Sequence, residues 1–248
     1  MSHNNKTLNA TNPPVQIDNG ALQMLEIPNL EEAISDMRRG FYISPPRITV
    51  EHSHTGKHTW MIDLGPSYNG DDGTIDLSSK FTGIVCLAQQ IRALWTEKEA
   101  IPTCAAIDNI PSVSEAISHS CISCQHSRVG SSCKQKIRLL VLTSVSEQSN
   151  LVVFNLAPTS IKHWRSHIAK CVRTNLPYYA ITTEFNLLDV KKHNYRWAEV
   201  EMRAGRLISQ QELQTVLTIK DKIKQQFSSV DEEDFMIDKN DKENNSEA

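Results

Sequence analysis

At 248 residues and 39% hydrophobic content the chain is long enough for one sizeable domain or two small ones, with an adequate but not rich core. No run approaches the eighteen or so apolar residues of a bilayer span, and the opening MSHNNKTLNATNPP has neither the basic nor the apolar part of a secretory leader, so a soluble, cytoplasmic protein is expected. The net charge of −3 is polarised: residues 231–248 hold eight acids and two lysines, residues 128–173 hold eight bases and one acid, and the pattern is a basic body with an acidic tail.

Residues 1–40 begin with about twenty rich in Asn, Thr, Ser and Pro, which read as a disordered arm. A short helix fits around 30–39, with Glu31 and Glu32 early and Arg38 and Arg39 late. From Phe41 the period changes to two. Ile48 and Val50, then Trp60, Ile62 and Leu64, predict a strand pair around a turn at Gly56, and GPSYNGDDG predicts a loop. Residues 81–95 are apolar and ambiguous between strand and helix.

Residues 137–145 and 151–157, joined by SEQSN, predict a hairpin. Pro158, Thr159 and Ser160 stop the second strand and cap a helix whose apolar stripe is Ile161, Trp164, Ile168, Cys171 and Val172; Pro177 ends it. Strands follow over 178–188 and 195–202. Ser209 caps a last helix over 209–227, and residues 228–248 form an acidic disordered tail. The sum is about seven strands in a β-rich α+β domain over 41–208. It suits an OB-like, partly open β-barrel with an inserted helix, although a β-sandwich would leave the same trace.

The cysteines carry the most specific signal. Cys121 and Cys124 form a C-x2-C knuckle, with Cys104 sixteen residues before and Cys133 eight after. Four soft ligands favour zinc, and a closed thiolate shell makes it structural. Such an ion would order the long polar stretch 101–135. His119 and His126 are alternatives to Cys104 as the fourth ligand. Cys86 and Cys171 lie in apolar runs and read as core.

His52, His54 and His58 in EHSHTGKH suggest a hydrolytic metal site. The aspartate such a site needs is absent, with Thr55, Gly56 and Lys57 in its place, and no phosphate loop or nucleophile elbow occurs. No enzyme is expected. A nucleic-acid interface fits better: Lys134, Lys136 and Arg138 lead from the last cysteine into a strand, Arg196 adds a cation, and Tyr195, Trp197 and Trp60 offer rings for bases. In the tail, Asp231, Glu232, Glu233, Asp234 and Phe235 combine charge with an apolar anchor suited to docking replication or recombination partners.

The cysteine set, KIRLLVLTSV, NLVVFNLAP, TSIKHWRSHIAKCV and LPYYAITTEFNL resemble, over roughly 80–205, zinc-containing single-stranded-DNA-binding proteins of the bacteriophage type. PTCAAIDNIPS, CISC, SSCKQKIRLLVL and LAPTSIKHW are similar to phage and prophage proteins with the same cysteine layout. The chain differs from the helix-destabilising members in offering four cysteines where a histidine can be a ligand, and in a sparse aromatic set. The resemblance implies sequence-tolerant binding of single-stranded DNA in phage or mobile-element replication or recombination, with acidic tails recruiting partners. A zinc-ribbon module that contacts protein is the alternative, and a zinc hydrolase a third.

Overall fold

The structure, a computed structural model, describes residues 45–63, 74–96, 102–113, 115–128, 131–145, 148–230 and 232–235, which belong to one compact unit. The arm and short helix expected over 1–40 and the GPSYNGDDG loop lie outside them.

Among the described residues are ten strands and two α-helices: β1 (Arg47–Glu51), β2 (Thr59–Asp63), β3 (Thr74–Asp76), β4 (Lys80–Leu94), β5 (Cys104–Ile107), β6 (Ile110–Pro111), β7 (Lys134–Val145), β8 (Gln148–Leu156), α1 (Ile161–Arg173), β9 (Ile181–Lys192), β10 (Tyr195–Leu207) and α2 (Gln210–Gln226). The fold is mixed α+β and strand-rich. Its single open sheet runs β10-β9-β4-β7-β8-β1-β2-β3, with β5 and β6 branching from β4. β1 and β8 run parallel.

β4 organises this sheet. The ambiguous apolar run is one fifteen-residue strand, because both its faces find apolar cover. One edge pairs with β7 along almost its whole length; the other pairs with β9 at Lys80–Gly83 and with β5 at Ile91–Leu94. A bulge between Val85 and Leu87 shifts the register against β7. On one side of it Val85 faces Val141; on the other Ala88 faces Leu139 and Gln89 faces Arg138.

The inner face of the sheet wraps a core centred on Trp60, whose ring meets Phe81 and Phe154 edge-on at 5.0 and 4.8 Å. Ile62, Val85, Leu139, Val141 and Phe185 join it, and α1 adds Ile161 and Trp164. Trp60 is fully buried, so its expected role as a base-stacking ring does not hold: the alternation that marked β2 as a strand points its largest side chain inward. The main chain of Trp60 also bonds Leu77 and Ser78, in the corner that carries β3 directly into β4.

α1 begins after a short turn at Pro158–Ser160. Ser160 does not cap it as expected. Its hydroxyl is buried and instead accepts a bond of 2.9 Å from the Val200 N–H, tying the helix start to β10. Asn175, at φ 52°, follows the helix, with Leu176 N–H bonded to Cys171 O, a left-handed stop that asparagine tolerates. α2 starts with the expected Ser209, in a reciprocal capping box with Glu212. It lays Val216, Ile223 and Phe227 on Leu87, Leu140 and Val153 of the outer face.

The chain after α2 departs most from expectation. Residues 228–230 and 232–235 are not a loose tail: Val230 packs on Ile91, Ala93 and Ala105, and Phe235 meets Trp95 at 5.4 Å. Beneath this strap lies Arg138, 1% exposed. Each of its five N–H groups makes a bond: two to Gln89 Oε1 (3.0 and 2.8 Å), two to the Phe227 and Ser229 carbonyls (2.9 and 3.0 Å), and one to Asp234 Oδ2 (2.7 Å). Asp234, itself 0% exposed, also meets Arg47. Arg138 is therefore no phosphate contact, and Asp234 and Phe235 do not reach outward to partners. Two charges withdrawn from water require each other, and the strap closes over the pair.

Asp234→Ala leaves a buried guanidinium without its counter-ion and should lower unfolding stability by about 3–5 kcal/mol. The double variant Arg138→Met, Asp234→Leu should recover much of that loss. Urea titration measures both, and a single-variant loss under about 1 kcal/mol would separate the strap from Arg138.

Candidate functional site

Two regions concentrate chemistry. The first is the far end of β4, where the register gathers the cysteines. Cys104 pairs with Leu94 across one edge; Cys133 immediately precedes Lys134, which pairs with Ala93 across the other. Two residues before Leu94, and so on the same face, stands Arg92, which bonds Gln135 Oε1 at 2.7 Å and the Ser127 carbonyl at 3.4 Å. That carbonyl belongs to the knuckle. The chain turns from Cys121 to Cys124 and then through Gln125–Ser127, with the Ser127 hydroxyl bonded to both cysteine carbonyls.

Cys104, Cys121 and Cys133 thus lie within electrostatic reach of one another and Cys124 within reach of Cys121, with the Arg92 guanidinium acting on Cys121 and Cys133. Burial pushes the Cys121 thiol up, Arg92 pulls it back, and Cys104 and Cys124 reinforce the rise. Cys133 is likewise raised by burial, opposed by Arg92 and raised further by Cys121 and Cys104. Among the described residues no three His, Cys, Asp or Glu side chains stand together as a ready ligand group, so an ion would draw this cluster closed. The donor set nonetheless fits one. The four thiols are soft ligands by chemistry, and Arg92 Nε and Gln135 Nε2 are buried with no hydrogen-bond partner, both able to donate to thiolate sulfur. His119 is exposed; His126 is half-buried and its Nε2 lies 3.3 Å from Gln125 Nε2. Cys86 and Cys171 are core residues, and burial raises Cys86 to about 11.

The second region is the β9–β10 hairpin, which turns at His193, φ 53°. Tyr195 is 76% exposed and pairs across the strands with exposed Lys192; Trp197, on the same face, is half-buried. Arg196, on the opposite face, is not free for a phosphate. It grips Asp189 with two bonds (2.7 and 2.6 Å) and donates to the His54 carbonyl at 3.0 Å, over Gly56, whose φ of 85° and closeness to the guanidinium leave no room for a side chain. His58 completes the clamp. Its Nδ1 accepts from Ser53 N–H, and its Nε2 lies 3.1 Å from Asp189 Oδ1. His52 Nδ1 accepts from Ala198 N–H, while the His54 side chain is exposed. The histidine run therefore staples a turn to β9–β10.

Of the three cations expected beside the last cysteine, Lys134 is exposed, Lys136 sits 5.6 Å over the Phe235 ring, and Arg138 is buried. Alternation does place them on one face, but the strap covers that face at Lys136 and Arg138. Asp231 lies outside the described residues, as do the side chains of Glu232 and Glu233. Sequence reasoning missed Arg92 and Asp189. Arg92 left a signal, as the lone cation inside VCLAQQIRALW close to the cysteines; Asp189, in a turn-like DVKKHN, left none.

Compared with protein-family models, curated proteins and solved structures, the chain matches none of them. No described helix is long and apolar enough to cross a membrane.

The bonds from Arg196, ahead of every other cause, hold the Asp189 carboxyl at about 2, below its ordinary 3.8. A depressed folded value means that the contribution of Asp189 is complete above about pH 4 and is lost as pH falls towards 2. The stability gap between the wild type and Asp189→Asn should be level from about pH 7 to 4 and close below that. A gap closing between about pH 7 and 5 would assign the dependence to a histidine instead.

Proposed function

We propose that the protein binds single-stranded DNA with little regard to sequence, without catalysing a reaction, in phage or mobile-element replication or recombination in the cytoplasm of the host cell. The observation that carries this reading is the β9–β10 hairpin: Tyr195 stands in solvent opposite Lys192, with Lys191 and His193 exposed at the turn and Asp189, an acid of the same hairpin, held by Arg196. A ring for a base beside cations for phosphates is the minimal requirement for a single strand. An OB-like, partly open barrel is the architectural part of the proposal. It rests on the path β4-β7-β8-β1-β2-β3 and on residues 77–79, which lead from the end of that path back to its first strand.

Cys104, Cys121, Cys124 and Cys133 would hold a zinc ion. Four thiolates leave it no open position, so it supplies cross-linking of the 101–135 region and no chemistry. Arg92 would face the negative shell and bond its sulfurs.

A second reading, a zinc-ribbon module that docks another protein, is favoured by three exposed apolar side chains between β5 and β7: Ile122, 84% exposed inside the knuckle, Ile110 of β6 at 70%, and Ile117. The two readings use different surfaces.

Anisotropy titration of labelled oligothymidine should detect binding that weakens with salt, and Tyr195→Ala should lose about 1–3 kcal/mol of it. Ile122→Ser should leave it unchanged. Absence of oligothymidine binding, or preference for one duplex sequence, would overturn the first reading. Metal analysis should find stoichiometric zinc that Cys121→Ser removes; zinc-free purified protein would refute the metal.

A further inference from the structure

Resting on the reading above, we infer that the single strand leaves the hairpin and continues over the outward half of α1, with Arg165, Lys170 and Arg173 as phosphate contacts and the groove between α1 and β4 as a base slot.

Four observations carry this track. First, α1 has no acid at all, and Lys162, Arg165, Lys170 and Arg173 all lie on its exposed side, while Ile161, Trp164, His167 and Cys171 face inward. Among the described residues Lys162 is paired to Glu199 at 2.7 Å, Arg165 and Lys170 enter no ion pair, and Arg173 donates its Nε to the Ala169 carbonyl at 3.1 Å.

Second, the helix joins the hairpin without a break. Tyr195, Trp197 and Glu199 alternate along one face of β10, and Glu199 holds both Lys162 and His163 (2.7 and 2.9 Å). The acid between ring and helix does not repel a phosphate as a bare charge: burial, the largest influence, raises its carboxyl, and the bonds from Lys162 and His163 outweigh it and keep Glu199 ionised and matched.

Third, the opposite flank of α1 borders an open groove of about 380 Å³, in which Trp164, Ile168 and Ile137 supply apolar walls and Gln90, Asp108 and Arg165 polar groups. Arg165 belongs to both the cationic face and the groove. An open groove with apolar walls and a few polar groups suits a base.

Fourth, the length fits. Thirteen helical residues span about 20 Å, enough for several nucleotides of an extended strand. The face that Lys134, Lys136 and Arg138 were expected to offer is covered by the strap at Lys136 and Arg138, leaving Lys134 exposed, whereas all four α1 cations are exposed.

The test compares two charge reversals of equal size. Arg165→Glu with Lys170→Glu alters α1; Lys222→Glu with Lys224→Glu alters exposed positions of α2 and controls for net charge. The α1 pair should weaken oligothymidine binding at least about tenfold at 0.1 M salt and flatten the salt slope by about 0.7 per lost contact, whereas the α2 pair should stay within about threefold of the wild type. Arg165→Gln with Lys170→Gln, which adds no acid to the helix, should give the same flattening with a smaller loss, and circular dichroism confirms that each variant is folded. An α1 pair that binds with wild-type affinity and slope, or an α2 pair that loses as much, overturns the track and leaves the hairpin reading standing. A wild-type protein that ignores oligothymidine, or binds anionic phosphatidylserine vesicles in its place, overturns both.

Discussion

Arg138 is the constraint on which much of the structure depends. A guanidinium in the middle of β7, withdrawn from water, needs five acceptors and a negative charge. They come from Gln89 on the neighbouring strand, from two carbonyls just past α2, and from Asp234 on the strap. The position of α2, the path of the chain after it and the burial of an acid near the C-terminus are all terms in satisfying one side chain. Phe227 under the same guanidinium, at 5.0 Å, adds a ring to that demand.

The far end of β4 is covered on both sides by segments whose regular structure is a single short 3-10 turn each. Ile91, Ala93 and Ala105 face Val230 and the strap, while Arg92 and Leu94 face the cysteine turn. Neither cover is an α-helix or a strand. Each is held by a few anchors: Val230, Phe235 and Asp234 on one side, Ser127 and Arg92 on the other. The β5–β6 hairpin beside them closes through Asp108 and Asn109, both at positive φ, the two-residue turn that suits these side chains.

Local signals in the sequence were legible where the cause is local. The C-x2-C knuckle, the Ser209–Glu212 cap and the alternation of β7 and β8 depend on residues within a few positions of one another. Long-range demands were not legible. Arg138 alternates with Lys134 and Lys136 as a solvent-facing cation would, and only a partner ninety-six positions away makes it a core residue. Trp60 reads equally well as a stacking ring or a core anchor until Phe81 and Phe154 from other strands close on it. Ser160 sits where a cap belongs, yet its hydroxyl is claimed by β10. The α1 cations were visible as composition, but which face of the sheet stays open was not.

The bulge between Val85 and Leu87 has a consequence for how the chain tolerates change. One extra residue in β4 lets the strand serve the Trp60 core before it and, in altered phase, both covers after it. Deleting a residue there would not merely shorten the strand. Everything from Ala88 onward would rotate half a turn, carrying Gln89 away from Arg138 and Arg92 away from the knuckle together. The bulge is a reading-frame marker in three dimensions, and single-residue insertions and deletions between Val85 and Leu94 are the changes to which this architecture has least tolerance.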